Sequence, residues 1–151
     1  MPLIVIGEVL GATGITILVL VLSLWLLSIP LRDISIIDMA FAGLIAVVLL
    51  VAYGLAGSHG PIPGLIIALV LIWACRMSVY LIHRNWGHGE DPRYTRLRQW
   101  VAPGWPFHWL SLRQVFLLQG TVIWVLTLPQ QIAMVTGSSA GFGVLAVTGL
   151  S

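Results

Sequence analysis

Arg84-Asn-Trp-Gly-His-Gly-Glu-Asp-Pro-Arg-Tyr-Thr-Arg-Leu-Arg98 is the one dense polar segment of an otherwise apolar chain. Four of the seven arginines (Arg84, Arg93, Arg96, Arg98) and two of the five acids (Glu90, Asp91) lie within it. A charged segment between long hydrophobic runs has to lie in water or at a membrane surface. The runs on either side therefore read as membrane spans, and the segment as the link between two of them.

The composition agrees. Hydrophobic residues make up 59% of the chain and charged residues 8%, with a mean hydropathy of +1.04. A soluble domain carries about 25% charged residues, so the chain reads as an integral membrane protein. A membrane-spanning helix takes about 20 residues, and 151 residues hold four spans with short links. The expected fold is all-α: one polytopic bundle of four transmembrane helices plus a partial fifth segment, forming a single membrane domain over residues 1–151.

The net charge of +2 comes from arginine alone, since lysine is absent. The basic residues are not spread over a soluble face, which argues against a nucleic-acid partner. Cys75 is the one cysteine, so no disulfide can form within the chain. The first apolar run has no basic residue before it and is too long for the core of a cleavable signal, so it reads as a retained span.

In chain order, the first span runs from about Leu3 to Ile29, with Gly7, Gly11 and Gly14 near one stripe where a neighbouring helix could approach closely. Pro30 favours a stop. Arg32-Asp33 opens a short link, and the second span covers Met39 to Gly57. Residues 57–63, with His59, form a turn. The third span runs from about Gly64 to Ile82, and the fourth from Leu110 to about Val135, with Pro129 expected to kink or end it. Arg93, Tyr94 and Arg96–Arg98 suggest a short interfacial helix, and Trp100, Trp105 and Trp109 an aromatic belt. Val144 to Ser151 begins a further apolar segment too short to cross a bilayer.

Two features stand out as candidate chemistry. Asp38 lies at the start of the second span, where a carboxylate is costly unless paired or hydrated. It reads either as a helix-start charge or ion-pair partner, or as a member of a polar site. Arg76 lies inside the third span, and Arg76, Tyr80 and Arg84 share a helical face at i, i+4, i+8. At 1.5 Å per residue Arg76 sits about 12 Å below Arg84. It either lines a polar cavity, or snorkels to the interface or pairs with a carboxylate. No metal-binding array is visible: His83, His88 and His108 lack the paired spacing of a zinc site. Glu90 and Asp91 are expected to form exposed pairs with nearby arginines. Arg32 lies in the first link and five more arginines lie in or beside the third. The positive-inside rule then places both links in the cytoplasm and the N-terminus outside.

The combination of Leu31-Arg-Asp-Ile-Ser-Ile-Ile-Asp38, Arg84-Asn-Trp-Gly, Gly89-Glu-Asp-Pro-Arg-Tyr94 and Phe116-Leu-Leu-Gln-Gly120 resembles a known family. It is similar to the bacterial domain-of-unknown-function 1295 branch of the steroid 5-alpha-reductase-like membrane proteins. The match runs over nearly the whole chain, and its most specific part is the Arg-Asn…Gly-Glu-Asp…Arg-Tyr segment. The resemblance implies an NADPH-dependent reductase that saturates an activated carbon–carbon double bond in a lipid or sterol-like substrate. It also implies a longer protein. The later Arg-Tyr-Ser-Arg-His-Pro-Asn-Tyr-like motif, which carries most cofactor contacts in such proteins, is absent here. The chain is thus expected to be the N-terminal half, inactive alone, with a C-terminal half or a second copy as partner.

Under that reading Tyr80 would donate a proton to a developing enolate and Asp38 would orient a polar partner. Arg76, Arg84, Arg93 and Arg96 would receive negative charge, including cofactor phosphate. No glycine-rich dinucleotide fingerprint follows a strand, so any cofactor site is of another kind. Two other functions fit the same residues: a non-catalytic membrane scaffold with a salt-bridged loop, and half of an isoprenylcysteine methyltransferase-like protein.

Overall fold

The computed structural model describes residues 2–57 and 60–136. Four helices in it are long and apolar enough to cross a membrane. They are α1 (Pro2–Leu31), α2 (Ile36–Leu55), α3 (Pro61–Asn85) and a long rod from Trp105 to Thr136. The rod is built of α5 (Trp105–Ser111), a π-helical turn (Leu112–Leu117) and α6 (Leu118–Thr136). A short helix, α4 (Pro92–Gln99), lies in the third link. The described residues contain helices and turns only, as the composition requires: in lipid a backbone must satisfy its own hydrogen bonds. The fifth segment expected over residues 144–151, and His59, lie outside the described residues.

The stop expected at Pro30 is met to within one residue, and the end expected as one alternative at Pro129 is not. Pro30 is the penultimate residue of α1, and α6 runs through Pro129 to Thr136. Pro30 lacks the N–H that would bond Leu26 O, which suits it to the last turn before a stop, and neighbouring groups in a bundle can take up carbonyls that a proline further in sets free. Arg32 closes α1 in the left-handed region at φ 53°, a helix-ending conformation usually left to glycine.

α2 is the middle of the bundle, packed on α1, α3 and α6. One core joins Ile17 and Val21 of α1, Ile37, Leu44 and Val48 of α2, and Phe116 and Ile123 of the rod. A second, nearer the other end, gathers Val9, Leu49, Ala52, Ile67 and Met134. α2 and α3 meet through Ala42, Ala46 and Ala74. Between membrane helices association rests on close packing rather than the hydrophobic effect, which is why alanine and glycine occupy such contacts. Among the described residues, Gly120 makes a close approach of this kind: a Cβ there would lie 3.0 Å from Val21 Cγ2. Of the expected stripe, Gly14 touches Trp124, but Gly7 and Gly11 have open space where a Cβ would be.

Gln131 is fully buried and satisfied. It accepts from Thr13 Oγ1 at 2.7 Å and donates to Thr127 Oγ1 at 2.9 Å, tying α6 to α1. Trp124 Nε1 donates to Leu10 O and Thr13 Oγ1, both at 3.3 Å.

Candidate functional site

The polar groups gather at the end of the bundle that holds the first and third links. The third link turns on Gly87 and Gly89, at φ 80° and 74°, where a side chain would be strained. It is then stopped by a helix start. Pro92 occupies the first turn of α4, and Asp91 Oδ1 accepts the Arg93 N–H at 2.8 Å, an N-cap of the ordinary kind. The Arg93 side chain hydrogen-bonds to Asp91 and, with the Arg93 N–H, holds the carboxyl below its usual range.

Glu90 fastens the two links together. Its carboxylate accepts Arg98 Nε at 2.7 Å and Nη2 at 2.9 Å, and the Ile34 N–H at 3.1 Å. Arg98 also donates to Arg32 O at 3.0 Å, and its guanidinium lies 4.3 Å from the centre of the Phe107 ring. Beside it, the Asp91 N–H donates to Ser35 Oγ at 2.8 Å. The expected ion pairs form, but Glu90 is not at the surface. Its side chain is 13% exposed, against 70% for Arg93, because both links close over it.

Asp38 is the second centre. It sits in the first turn of α2, and donors from two other elements converge on its carboxylate. Arg93 Nη2 donates at 3.1 Å, Tyr94 Oη at 3.1 Å, and Gln119 Nε2 at 3.0 Å. Asp38 is therefore an ion-pair partner and a member of a polar site at once. Burial, with the Asp38 charge beside it, raises the Tyr94 phenol well above its ordinary value, so Tyr94 is a protonated donor.

Of the residues singled out from sequence, the structure joins Asp38 and Arg93 directly. Arg84 lines a cavity of about 250 Å³ with both of them, together with Asn85, Asp91 and Gln119. Arg76, Tyr80 and Arg84 do share one face of α3, and that face is exposed, Tyr80 at 55%. Arg96 is exposed on α4. Tyr94 and Gln119 are the members that sequence reasoning passed over as site residues. Gln119 lies in the Phe116-Leu-Leu-Gln-Gly120 run, a polar residue inside the expected fourth span. Tyr94 stood in the Arg-Asn…Gly-Glu-Asp…Arg-Tyr segment and in the expected interfacial helix, but nothing in the sequence pointed it at Asp38.

A family model described as a protein of unknown function (DUF1295) matches residues 24–151. The chain belongs to that family. The matched span of this DUF1295 protein covers Asp38, the whole third link and Gln119, so both carboxylate centres lie within the family domain. No curated protein and no solved structure matches the chain.

Proposed function

We propose that this chain supplies the enolate-stabilising and substrate-binding part of a membrane reductase that saturates a carbonyl-conjugated double bond in a lipid, with NADPH as hydride source. The observation that supports this is the Asp38–Tyr94 pair. A phenol that stays protonated stands between the arginine-rich loop and an apolar trough walled by Leu118 and Val122. The resemblance of the Arg-Asn…Gly-Glu-Asp…Arg-Tyr segment to the steroid 5-alpha-reductase-like proteins supports the same reading. The arginine-bearing links face the cytoplasm of a bacterial inner membrane, with the N-terminus outside.

Bound NADPH would supply the hydride. Within the chain, Tyr94 turns its O–H from Asp38 to the substrate carbonyl oxygen and holds the enolate by that hydrogen bond as charge develops there, keeping its own proton; the proton that completes saturation is taken up at the α-carbon from water. Asp38 keeps its partners Arg93 and Gln119 meanwhile, so its charge is never left alone in a low dielectric. Arg84 would receive a phosphate group, whereas Arg96, exposed on α4, lines neither of the cavities beside Arg84. The cavities beside Arg84, about 250 and 380 Å³, are at the small end of ligand pockets, about 300–1,000 Å³. They suit a phosphate rather than a whole dinucleotide, so the remaining cofactor contacts are assigned to a C-terminal half or a second copy.

The test is NADPH binding and oxidation by purified residues 1–151, with and without a supplied C-terminal half. Turnover is expected only with the second half, and only while Tyr94 is present. Turnover that survives Tyr94→Phe unchanged would remove the reactive role.

A scaffold reading is favoured by one observation: the Glu90–Arg98 clamp satisfies itself and needs no ligand. On that reading Asp38 only joins α2, α4 and α6. No reductase activity would then appear with any C-terminal half.

A further inference from the structure

One face of α3 packs on α2, with Ile67 and Ala74 buried there. The opposite face is open. Leu65, Leu69, Ile72, Arg76, Val79 and His83 are all exposed, Ile72 at 69% and Val79 at 63%. Their spacing alternates between four and three residues. That is the repeat by which one membrane helix seats on another at a shallow left-handed crossing. The seam has the pattern of a helix contact, and among the described residues it is left uncovered.

Arg76 sits inside this seam, about 12 Å below Arg84. No carboxylate of the described residues lies within 4.0 Å of it, and a charge at that depth needs a partner or water. Snorkelling is set against the local geometry. α3 ends at the charged third link, and a helical Cα–Cβ bond tilts toward the helix start. The Arg76 side chain therefore sets out toward the middle of the bilayer, not toward the near surface.

A second copy does not answer the charge. Two such seams facing each other about a twofold axis set Arg76 against Arg76. Nor does the chain hold an acid at this depth. Asp38, Glu90 and Asp91 are bonded at the charged end, and Asp33 accepts the Ser35 N–H in the first link. Glu8 lies about 35 Å from Leu31 along α1, whereas Arg76 lies about 14 Å from Asn85 along α3. Residues 137–151 contain no acid.

We propose that this seam of α3 is the docking face for a transmembrane helix from outside residues 1–151 that carries one carboxylate at the depth of Arg76. Arg76 meets the carboxylate with a charge-assisted fork. Tyr80, one turn on and 55% exposed, adds its O–H. The apolar seam positions supply close packing, and the ion pair fixes the register and excludes helices without an acid, as a polar residue at one seam position does in a coiled coil. The inference is independent of the reductase reading and involves neither Asp38 nor Tyr94.

The experiment uses the full chain in phosphatidylcholine vesicles and its single cysteine. Cys75 is exposed and adjoins Arg76, so mild oxidation traps a cysteine-bearing helix seated on the seam. The probe is a synthetic leucine–alanine transmembrane peptide with one Glu at the depth of Arg76 and one Cys beside it. Trapping is expected to be about tenfold greater than for the same peptide with Gln, the loss of one charge-assisted contact. Arg76→Gln should erase the preference, and Arg76→Glu should transfer it to a peptide with Arg in place of Glu. Val79→Trp, in the seam, should reduce trapping, while Leu26→Trp, on the exposed side of α1, should leave it. Equal trapping of the Glu and Gln peptides by the unaltered chain overturns the proposal, with lipid then serving Arg76. A preference that survives Arg76→Gln overturns it too, as do Cys75–Cys75 dimers that exclude the peptide. The decisive ratio is read on the unaltered chain, so a variant that fails to fold leaves the test standing.

Discussion

Tyr94 on α4 donates its phenol to Asp38 on α2 at 3.1 Å, across 56 positions of chain. That contact brings a weak acid to a carboxylate already matched by Arg93 and Gln119, so the phenol can leave without stranding a charge. Tyr94→Phe is expected to lower turnover of a complete, active protein about 100-fold or more, as for other donors aimed at developing charge. Tyr80→Phe should change it far less. The opposite ranking would move the reactive centre to the outward face of α3.

The same phenol has a pH signature. Its value in the folded state is raised above the ordinary value of 10.0. The protonated form is thus favoured by folding, and this contribution is complete below pH 10 and is lost as pH rises through the folded value. Ultraviolet titration should show a late-forming tyrosinate that Tyr94→Phe removes and Asp38→Asn brings forward. A late tyrosinate that persists in Tyr94→Phe would contradict the assignment.

Glu90→Ala is expected to destabilise the protein by about 1.5–3 kcal/mol, since it removes charge-assisted bonds and strands Arg98 and the Ile34 N–H. Arg93, 70% exposed, pairs with both Asp91 and Asp38, and such exposed pairs contribute only about 0–1 kcal/mol each. Thermal unfolding in detergent should therefore separate Glu90→Ala from Arg93→Gln. Equal shifts would mean that the two links are not clamped through Glu90.

Gln131→Leu should cost little despite complete burial. Thr13 and Thr127 each have a carbonyl of their own helix within reach, Val9 O and Ile123 O, both at 2.9 Å. Interhelical hydrogen bonds in membranes average about 0.6 kcal/mol and reach about 1.7. A loss well beyond that range in an unfolding measurement would show that the network does more than join two helices.

Gly120→Ala should be the costly glycine change, by about 1–3 kcal/mol of overpacking, because its Cβ would press on Val21. Val21→Ala in the same chain should recover part of the loss. Gly11→Ala, with nothing near, should be neutral or slightly stabilising, and an equal loss at both positions would refute the close contact.

The fold was legible because a membrane span announces itself by apolar length alone, and the third link by its charge. The site was legible only in part. Periodicity correctly put Arg76, Tyr80 and Arg84 on one face of α3, but in a helix apolar on every side nothing marks which face meets the bundle. Asp38 stood out because a carboxylate beside a span needs a partner. That partner was hidden: Tyr94 reaches it through a folded link. Glu90 was misjudged in depth for the same reason, since a charged loop residue reads as exposed until two links are seen to close over it.

The π-helical turn at Leu112–Leu117 has a consequence for the phase of the rod. On one side of it, His108 O receives Trp25 Nε1 at 3.1 Å and Phe107 lies under Arg98. On the other, Gln119 meets Asp38 and Gly120 meets Val21. Each α-helical residue advances the azimuth by about 100°, so deleting one residue within the turn would rotate one set of partners away from the other by roughly that angle. A straight rod of the same composition could dock its upper half or its lower half, but not both. The widened turn acts as a phase corrector, and a single-residue deletion there is a sharper perturbation than any substitution on the same helix.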